Sequence, residues 1–235
     1  SMSSSDSFIT LQERLGYKFR NIELLKTALT HRSFVNESLE KTETNERFEF
    51  LGDSILAFLV GEALFRLFPR ASEGILTRAR AHLVGRKNLA NISRTLGIGD
   101  FILLGKGARL SGSSQSESVL ADALEALIAA VYLDSDLETC RSVVFRLLRL
   151  SKEEIEHWLD VKDNKTRLQE LSHRLYRTNP IYTVIAAPPV RDNFIVQVKV
   201  NDVSAQGEGR SKSEAEQEAA RKALDVFDFK TSSSK

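Results

Sequence analysis

Five carboxylates lie in apolar segments that have little use for them as core residues. In "NERFEFLGDSILAFLVGEALF", residues 45–65, Glu46, Glu49 and Asp53 interrupt a run that includes Phe48, Phe50, Leu51, Ile55, Leu56, Phe58 and Leu59. Glu49 and Asp53 are four apart and Glu46 is one turn earlier, so all three share one helix face. The segment "ESVLADALEALIAAVYLD" repeats the design with Asp122 and Glu125, three apart. No Lys or Arg lies between Leu110 and Cys140, so these two acids have no local ion-pair partner.

Two accounts of these acids compete. In the plainer one they cap helices or pair with Lys and Arg from elsewhere in the chain. Capping suits Glu46 in a first turn, but not Asp53, Asp122 or Glu125, which lie inside their helices. An unpaired buried carboxylate is costly and rare. In the second account the two helices pack side by side and converge Glu49, Asp53, Asp122 and Glu125 on a hard divalent cation. Mg²⁺ takes oxygen ligands at about 2.0–2.1 Å and keeps several waters. Such a site serves phosphoryl transfer. The cluster lacks the His and Cys ligands of zinc, and His31, His82, His157 and His173 show no metal-ligand spacing. Nucleophile-elbow, Walker and dinucleotide motifs are absent.

Helical periodicity that would position these acids dominates to about Leu159. It predicts helices near 8–15, 21–29, 45–67, 73–95, 117–133 and 136–158, with breakers at Gly16, Pro69, Gly74, "GIGD" and "SGSSQS". The pattern then changes. A short helix at 164–177 precedes two strand-like runs, "IYTVIAA" and "NFIVQVKVN", and a third strand at about 203–208. A last helix to about Phe227 carries Ala215, Ala219, Ala220, Ala223, Leu224 and Phe227 as one stripe. The expected plan is α+β in two domains, an all-α domain followed by an α-β-β-β-α module. "SKEEIEHWLDVKDN" between them reads as either helix or hinge, and "KTSSSK" as a disordered tail.

Length and composition agree with two ordinary globular domains: 235 residues, 42% hydrophobic and 28% charged. The single cysteine, Cys140, excludes an intramolecular disulfide and suggests a reducing compartment. No signal peptide or membrane-spanning run is evident, so a soluble, cytoplasmic protein is expected, and Ser1 before Met2 reads as a remnant of an expression tag. Net charge is only +1, which counts against nucleic-acid binding unless charge is unevenly spread. It is uneven: "KDNKTRLQELSHRLYR" has an excess of basic residues, and "GEGRSK" brings Arg210, Ser211 and Lys212 to a helix start where backbone amides hold phosphates. Thr166, Gln169 and Glu170 share a helix face suited to 2′-hydroxyls in a wide minor groove.

"NERFEFLGDSIL" with "LADALEALIAAVYLD", preceded by "LTHRS" (29–33) and "FPRASEG" (68–74), resembles the signatures of ribonuclease III. The α-β-β-β-α segment is similar to a double-stranded-RNA-binding domain. The resemblance runs from about Leu11 to Phe227. It implies an endonuclease domain at 7–155 and an RNA-binding domain at 162–230. It further implies Mg²⁺-dependent cleavage of double-stranded RNA to 5′-phosphate and 3′-hydroxyl ends by a homodimer, with Mn²⁺ able to substitute. The implied work is processing of ribosomal, messenger and transfer RNA precursors. By position, Glu49, Asp53, Asp122 and Glu125 match the metal-binding acids, Asp53 and Glu125 being the most critical for cleavage. Glu46 and Glu73 match accessory acids. The aromatic face of the first acidic helix, Phe48, Phe50 and Phe58, suits a symmetric partner.

The chain departs from the family pattern in three places. Lys212 is followed by Ser213, where a second basic residue is common, and Glu216 lies one turn on. The loop "APPVRDN" lacks a histidine that Arg191 would replace. Gln115 and Ser116 stand where basic residues are expected. These departures predict weaker and more salt-sensitive RNA binding. Two rival readings are a non-cutting RNA-binding protein, whose mark would be loss of metal-site acids, and an all-α scaffold around a structural Ca²⁺.

Overall fold

The structure, a computed structural model, describes residues 4–38 and 42–232. The chain divides into two compact units, Ser1–Lys152 and Glu153–Lys235.

The first unit is built on helices. In order they are α1 (Ser4–Leu15), α2 (Ile22–Ala28), α3 (Arg32–Glu37), α4 (Glu46–Leu67), α5 (Glu73–Leu83), α6 (Arg86–Leu96), α7 (Lys106–Leu110), α8 (Glu117–Asp134) and α9 (Leu137–Leu147). At its centre is α8, which packs most extensively on α4 and next on α6. Ser116 caps it, its Oγ accepting from the Val119 N–H at 3.5 Å. Alanines at 121, 123, 126, 129 and 130 are all buried, so neighbouring helices approach closely while the helix forms at little entropic cost. Leu120, Leu124, Leu127, Ile128 and Val131 are also buried, and each such side chain contributes about 1.5–3 kcal/mol. At its C-terminus Asp134 accepts from the Tyr17 hydroxyl and from the backbone N–H groups of Arg20 and Asn21, tying down the segment between α1 and α2.

Several expected boundaries are corrected. The helix expected at 73–95 is two, broken at Gly85, whose ψ of 147° is extended. A Cβ there would lie 2.7 Å from the Ala81 carbonyl oxygen, so the tight corner requires glycine. Gly74, expected to be a breaker, lies inside α5. The helix expected at 136–158 ends at Leu147, and after Arg149 at φ 50° the chain re-enters a helix at Lys152. That helix, α10 (Lys152–Tyr176), is continuous, so the segment read as helix or hinge is helical and merges with the short helix expected at 164–177. The short helices α3 and α7 carry too few residues to show periodicity. Glu37 of α3 binds the start of α7, accepting from the N–H groups of Lys106 at 2.7 Å and Gly107 at 3.3 Å.

The second unit runs α10, β1 (Ile181–Ala186), β2 (Phe194–Val200), β3 (Val203–Gly209), α11 (Lys212–Ser232). The antiparallel sheet has order β1-β2-β3. The alternation in β2 buries Val196, Val198 and Val200, and Val198 and Val200 join a core with Leu168, Val203 and the α11 stripe from Ala219 to Phe227. Gly207 and Gly209 are not turn residues. They lie in β3 against α11, where a Cβ on Gly207 would be 2.2 Å from the Ala219 nitrogen. The final helix extends past Phe227 to Ser232, so residues 230–232 of the expected tail are helical and 233–235 lie outside the described residues.

Candidate functional site

The close packing of α4 on α8 brings the two acidic faces together. A pocket of about 410 Å³ is lined by Glu46, Glu49, Asp53, Asp122 and Glu125, together with Phe50, Val84, Arg86 and Ala121. One carboxylate oxygen each from Glu49, Asp122 and Glu125 lies within 4.8 Å of the other two. Asp53 lines the same pocket from an exposed position one turn along α4. Glu46, the first residue of α4, also accepts a hydrogen bond from the Thr44 hydroxyl at 3.0 Å, so a role at the helix start coexists with its place in the pocket. Glu73 is exposed, accepts from the Thr77 hydroxyl at 2.7 Å, and is not among the lining residues.

The electrostatics follow from burial and like charge. Burial pushes the Glu125 carboxyl up to about 8, and the charges of Asp53, Asp122 and Glu49 push the same way. Burial also raises Glu49, helped by Asp122 and Glu46. Asp122 is raised by burial and held back by Arg86, His31 and Arg32. His31 is itself lowered by burial and by Arg32, and its Nδ1 caps α3 by accepting from the Ser33 N–H at 3.2 Å. The cluster is under repulsion that a cation relieves. Its donors are all hard carboxylate oxygens in an open pocket with room for waters, which fits Mg²⁺. Two residues that shape the pocket escape a reading of the acids alone. Arg86 is brought in by the α5–α6 corner, and Gly52 lets α4 lie against α8. Neither carries a periodicity signal.

On the second unit Thr166, Gln169 and Glu170 are exposed on α10, Arg191 is exposed in the β1–β2 loop, and Arg210, Ser211 and Lys212 are exposed at the start of α11. Thr166 and Gln169 line a groove of about 510 Å³ with Lys165, Asn179, Pro180, Tyr182 and Gln217. Ser211 and Glu214 form a capping arrangement: the Glu214 N–H donates to Ser211 Oγ at 3.2 Å, and its carboxylate accepts from the Arg210 N–H at 2.9 Å.

The aromatic face of α4 is only partly as expected. Phe48 belongs to the core, while Phe50, Phe58 and Phe65 are 77%, 53% and 71% exposed. Among the described residues no helix is long and apolar enough to cross a membrane.

Residues 21–150 match the ribonuclease-III-like family, and residues 164–226 match the double-stranded RNA binding motif. A ribonuclease 3 of Bdellovibrio bacteriovorus is 42% identical over 92% of this chain and 94% of its own length. One of Vibrio cholerae is 44% identical over 92% and 95%. The solved nuclease domain of ribonuclease III from Campylobacter jejuni, described for flexibility in a region involved in dimer formation, is 41% identical with a TM-score of 0.56, covering 60% of this chain and 94% of that one. With both units matched in order and similarity running nearly end to end, the chain belongs to the ribonuclease III family.

Proposed function

We propose that the protein is a Mg²⁺-dependent endoribonuclease that cuts double-stranded RNA as a homodimer, leaving 5′-phosphate and 3′-hydroxyl ends. The observation that carries this is the convergence of Glu49, Asp122 and Glu125 within 4.8 Å on a pocket that Asp53 also lines. All four acids that bind metal in this reading are present, which disfavours a binding protein that has lost its chemistry. The open pocket disfavours a structural Ca²⁺ site with a filled shell. When bound, a divalent cation supplies Lewis acidity for phosphodiester hydrolysis.

The residues divide the work. Glu49, Asp53, Asp122 and Glu125 hold the metal, and Asp53 and Glu125 are the acids cleavage depends on most. Glu125 holds a proton at neutral pH in the free protein and gives it up as the site is filled. Glu46 and Glu73 are accessory acids. Mn²⁺ substitutes for Mg²⁺ on the same hard-donor grounds. Thr166, Gln169, Glu170, Arg191, Arg210, Ser211 and Lys212 contact the duplex from the second unit, reading A-form shape. The nuclease domain spans 7–155 and the binding domain 162–230, and the enzyme works in the cytoplasm on structured RNA precursors. The exposed Phe50, Phe58 and Phe65 supply an apolar face for a second copy.

Cleavage of a long labelled RNA duplex with and without Mg²⁺ by the native chain and by Glu125→Gln tests this reading. Metal-dependent cutting that the substitution abolishes while duplex binding persists is the expected result. Binding without cutting by the native chain would overturn the catalytic reading.

A further inference from the structure

Lys165 stands at the edge of the groove that Thr166 and Gln169 line, where an exposed lysine would be taken for a phosphate ligand. Its surroundings say otherwise. Its Nζ lies 2.5 Å from Glu216 Oε2 and 4.9 Å over the ring of Tyr182, so the ammonium is held by a carboxylate on α11 and a π-face on β1. Its backbone N–H donates to the Gln217 side chain at 3.1 Å. The other oxygen of Glu216 faces Lys212 Nζ at 4.0 Å. The Glu216 side chain is only 14% exposed, so the carboxylate is partly desolvated and needs these cations.

One carboxylate thus holds Lys165 closely and stands beside Lys212, whose side chain stays exposed. We infer that Lys165 and Glu216 are positioning residues for duplex binding: their ion pair sets the spacing between the Thr166–Gln169 face of α10 and the Arg210–Lys212 start of α11, while Glu216 withholds positive charge from the RNA. Lys165 is therefore not a phosphate ligand. This also changes the expectation for salt. A face with fewer free cations releases fewer counterions, so binding is weak with a shallow salt dependence rather than a steep one.

The inference rests on the reading that this unit binds duplex RNA, and one experiment separates the two. Binding of a labelled RNA duplex of about 20 bp, longer than the roughly 16 bp such a domain spans, is titrated against salt without divalent cation, so that nothing is cut. The full chain, Lys165→Gln, Lys165→Arg and Glu216→Gln are compared. A phosphate-contacting lysine, once neutralised, lowers the slope of log affinity against log salt by about one. The expected result for Lys165→Gln is an unchanged slope, with affinity lower by up to about fivefold at every salt concentration. Lys165→Arg restores the affinity. Glu216→Gln, which keeps the shape and frees Lys165, steepens the slope by about one. A slope lowered by about one in Lys165→Gln, or unchanged in Glu216→Gln, overturns the inference alone. A native chain that binds no duplex removes both the reading and the inference.

Discussion

A Cβ added to Gly52 would lie 1.9 Å from the backbone carbonyl oxygen of Glu125. The approach of α4 to α8 is therefore set by a missing side chain in the turn between Glu49 and Asp53, directly opposite an acid of the other helix. Any side chain at position 52 must push the helices apart, because the opposing atom is backbone and cannot rotate away. Gly52→Ala is expected to destabilise the protein by about 1–3 kcal/mol, the usual range for an overpacked core. A displacement of about 1 Å at a catalytic constellation costs on the order of a hundredfold in rate, so activity should fall much further than stability. Thermal unfolding and single-turnover cleavage on the same preparation check this. Native-like cleavage by a correctly folded Gly52→Ala chain would refute the close packing.

The acid cluster makes metal binding and stability depend on pH in a defined direction. Glu125 has an ordinary value of 4.5 and is pushed to about 8 in the folded chain. The folded state thus holds the proton more tightly than the unfolded one. The associated stability is fully present below about 4.5 and is lost as pH rises through about 8. Glu49 and Asp122 shift in the same direction. A divalent cation needs these groups deprotonated, so its binding releases protons and strengthens as pH rises. Between pH 6 and 8.5 the Mg²⁺-induced rise in Tm should grow and the Mg²⁺ concentration at its midpoint should fall. Glu125→Gln should flatten both trends. A midpoint independent of pH in the native chain would contradict this picture.

Phe50, Phe58 and Phe65 leave apolar surface on α4 that the first unit does not cover. Spaced eight and seven residues apart, they lie on one side of the helix. If a second copy buries that side, each phenyl contributes about 1.5–3 kcal/mol. Phe58→Ala or Phe65→Ala should therefore weaken self-association by about 10- to 100-fold per ring. Sedimentation velocity across a concentration series reads the shift directly. The Mg²⁺-induced change in Tm should survive, because neither residue lines the acid pocket. A native chain that sediments as a monomer at all concentrations would remove the homodimer.

Most of this architecture was legible in the residues, and what was missed has physical reasons. The paired acids stood out because four carboxylates in apolar helices conflict with burial, and the structure brings Glu49, Asp122 and Glu125 together, with Asp53 in the same pocket. In β2, Phe194, Val196, Val198 and Val200 alternate with Ile195, Gln197 and Lys199, and a two-residue period leaves only two choices of inner face, of which the valine face is the buried one. The Gly85 corner was missed because a single glycine inside a helical pattern is tolerated as often as it breaks one. Glycines 52, 207 and 209 act through contacts with residues distant in sequence, which no local pattern records. Of the aromatic face read from Phe48, Phe50 and Phe58, Phe48 goes to the core at 9% exposed and the other two stay at the surface, a division that helical spacing alone does not decide. Arg86 acquires its place only once the corner is formed.

That place gives Arg86 a measurable effect. Its charge favours the ionised forms of Glu125, Glu49 and Asp122, partly cancelling the repulsion among them. The same charge repels an incoming divalent cation. Well above the Glu125 value of about 8 the acids are largely ionised with or without Arg86, so only the repulsion remains to be removed. Arg86→Gln is then expected to tighten Mg²⁺ binding by about threefold at low ionic strength, with the gain shrinking as salt screens it. At pH 6 the gain should vanish or reverse, because the acids lose the cation that helped them ionise. Calorimetric Mg²⁺ titrations at the two pH values and two salt concentrations test the sign. Weaker Mg²⁺ binding at high pH would mean that Arg86 props the carboxylates in place through contact rather than acting through its charge.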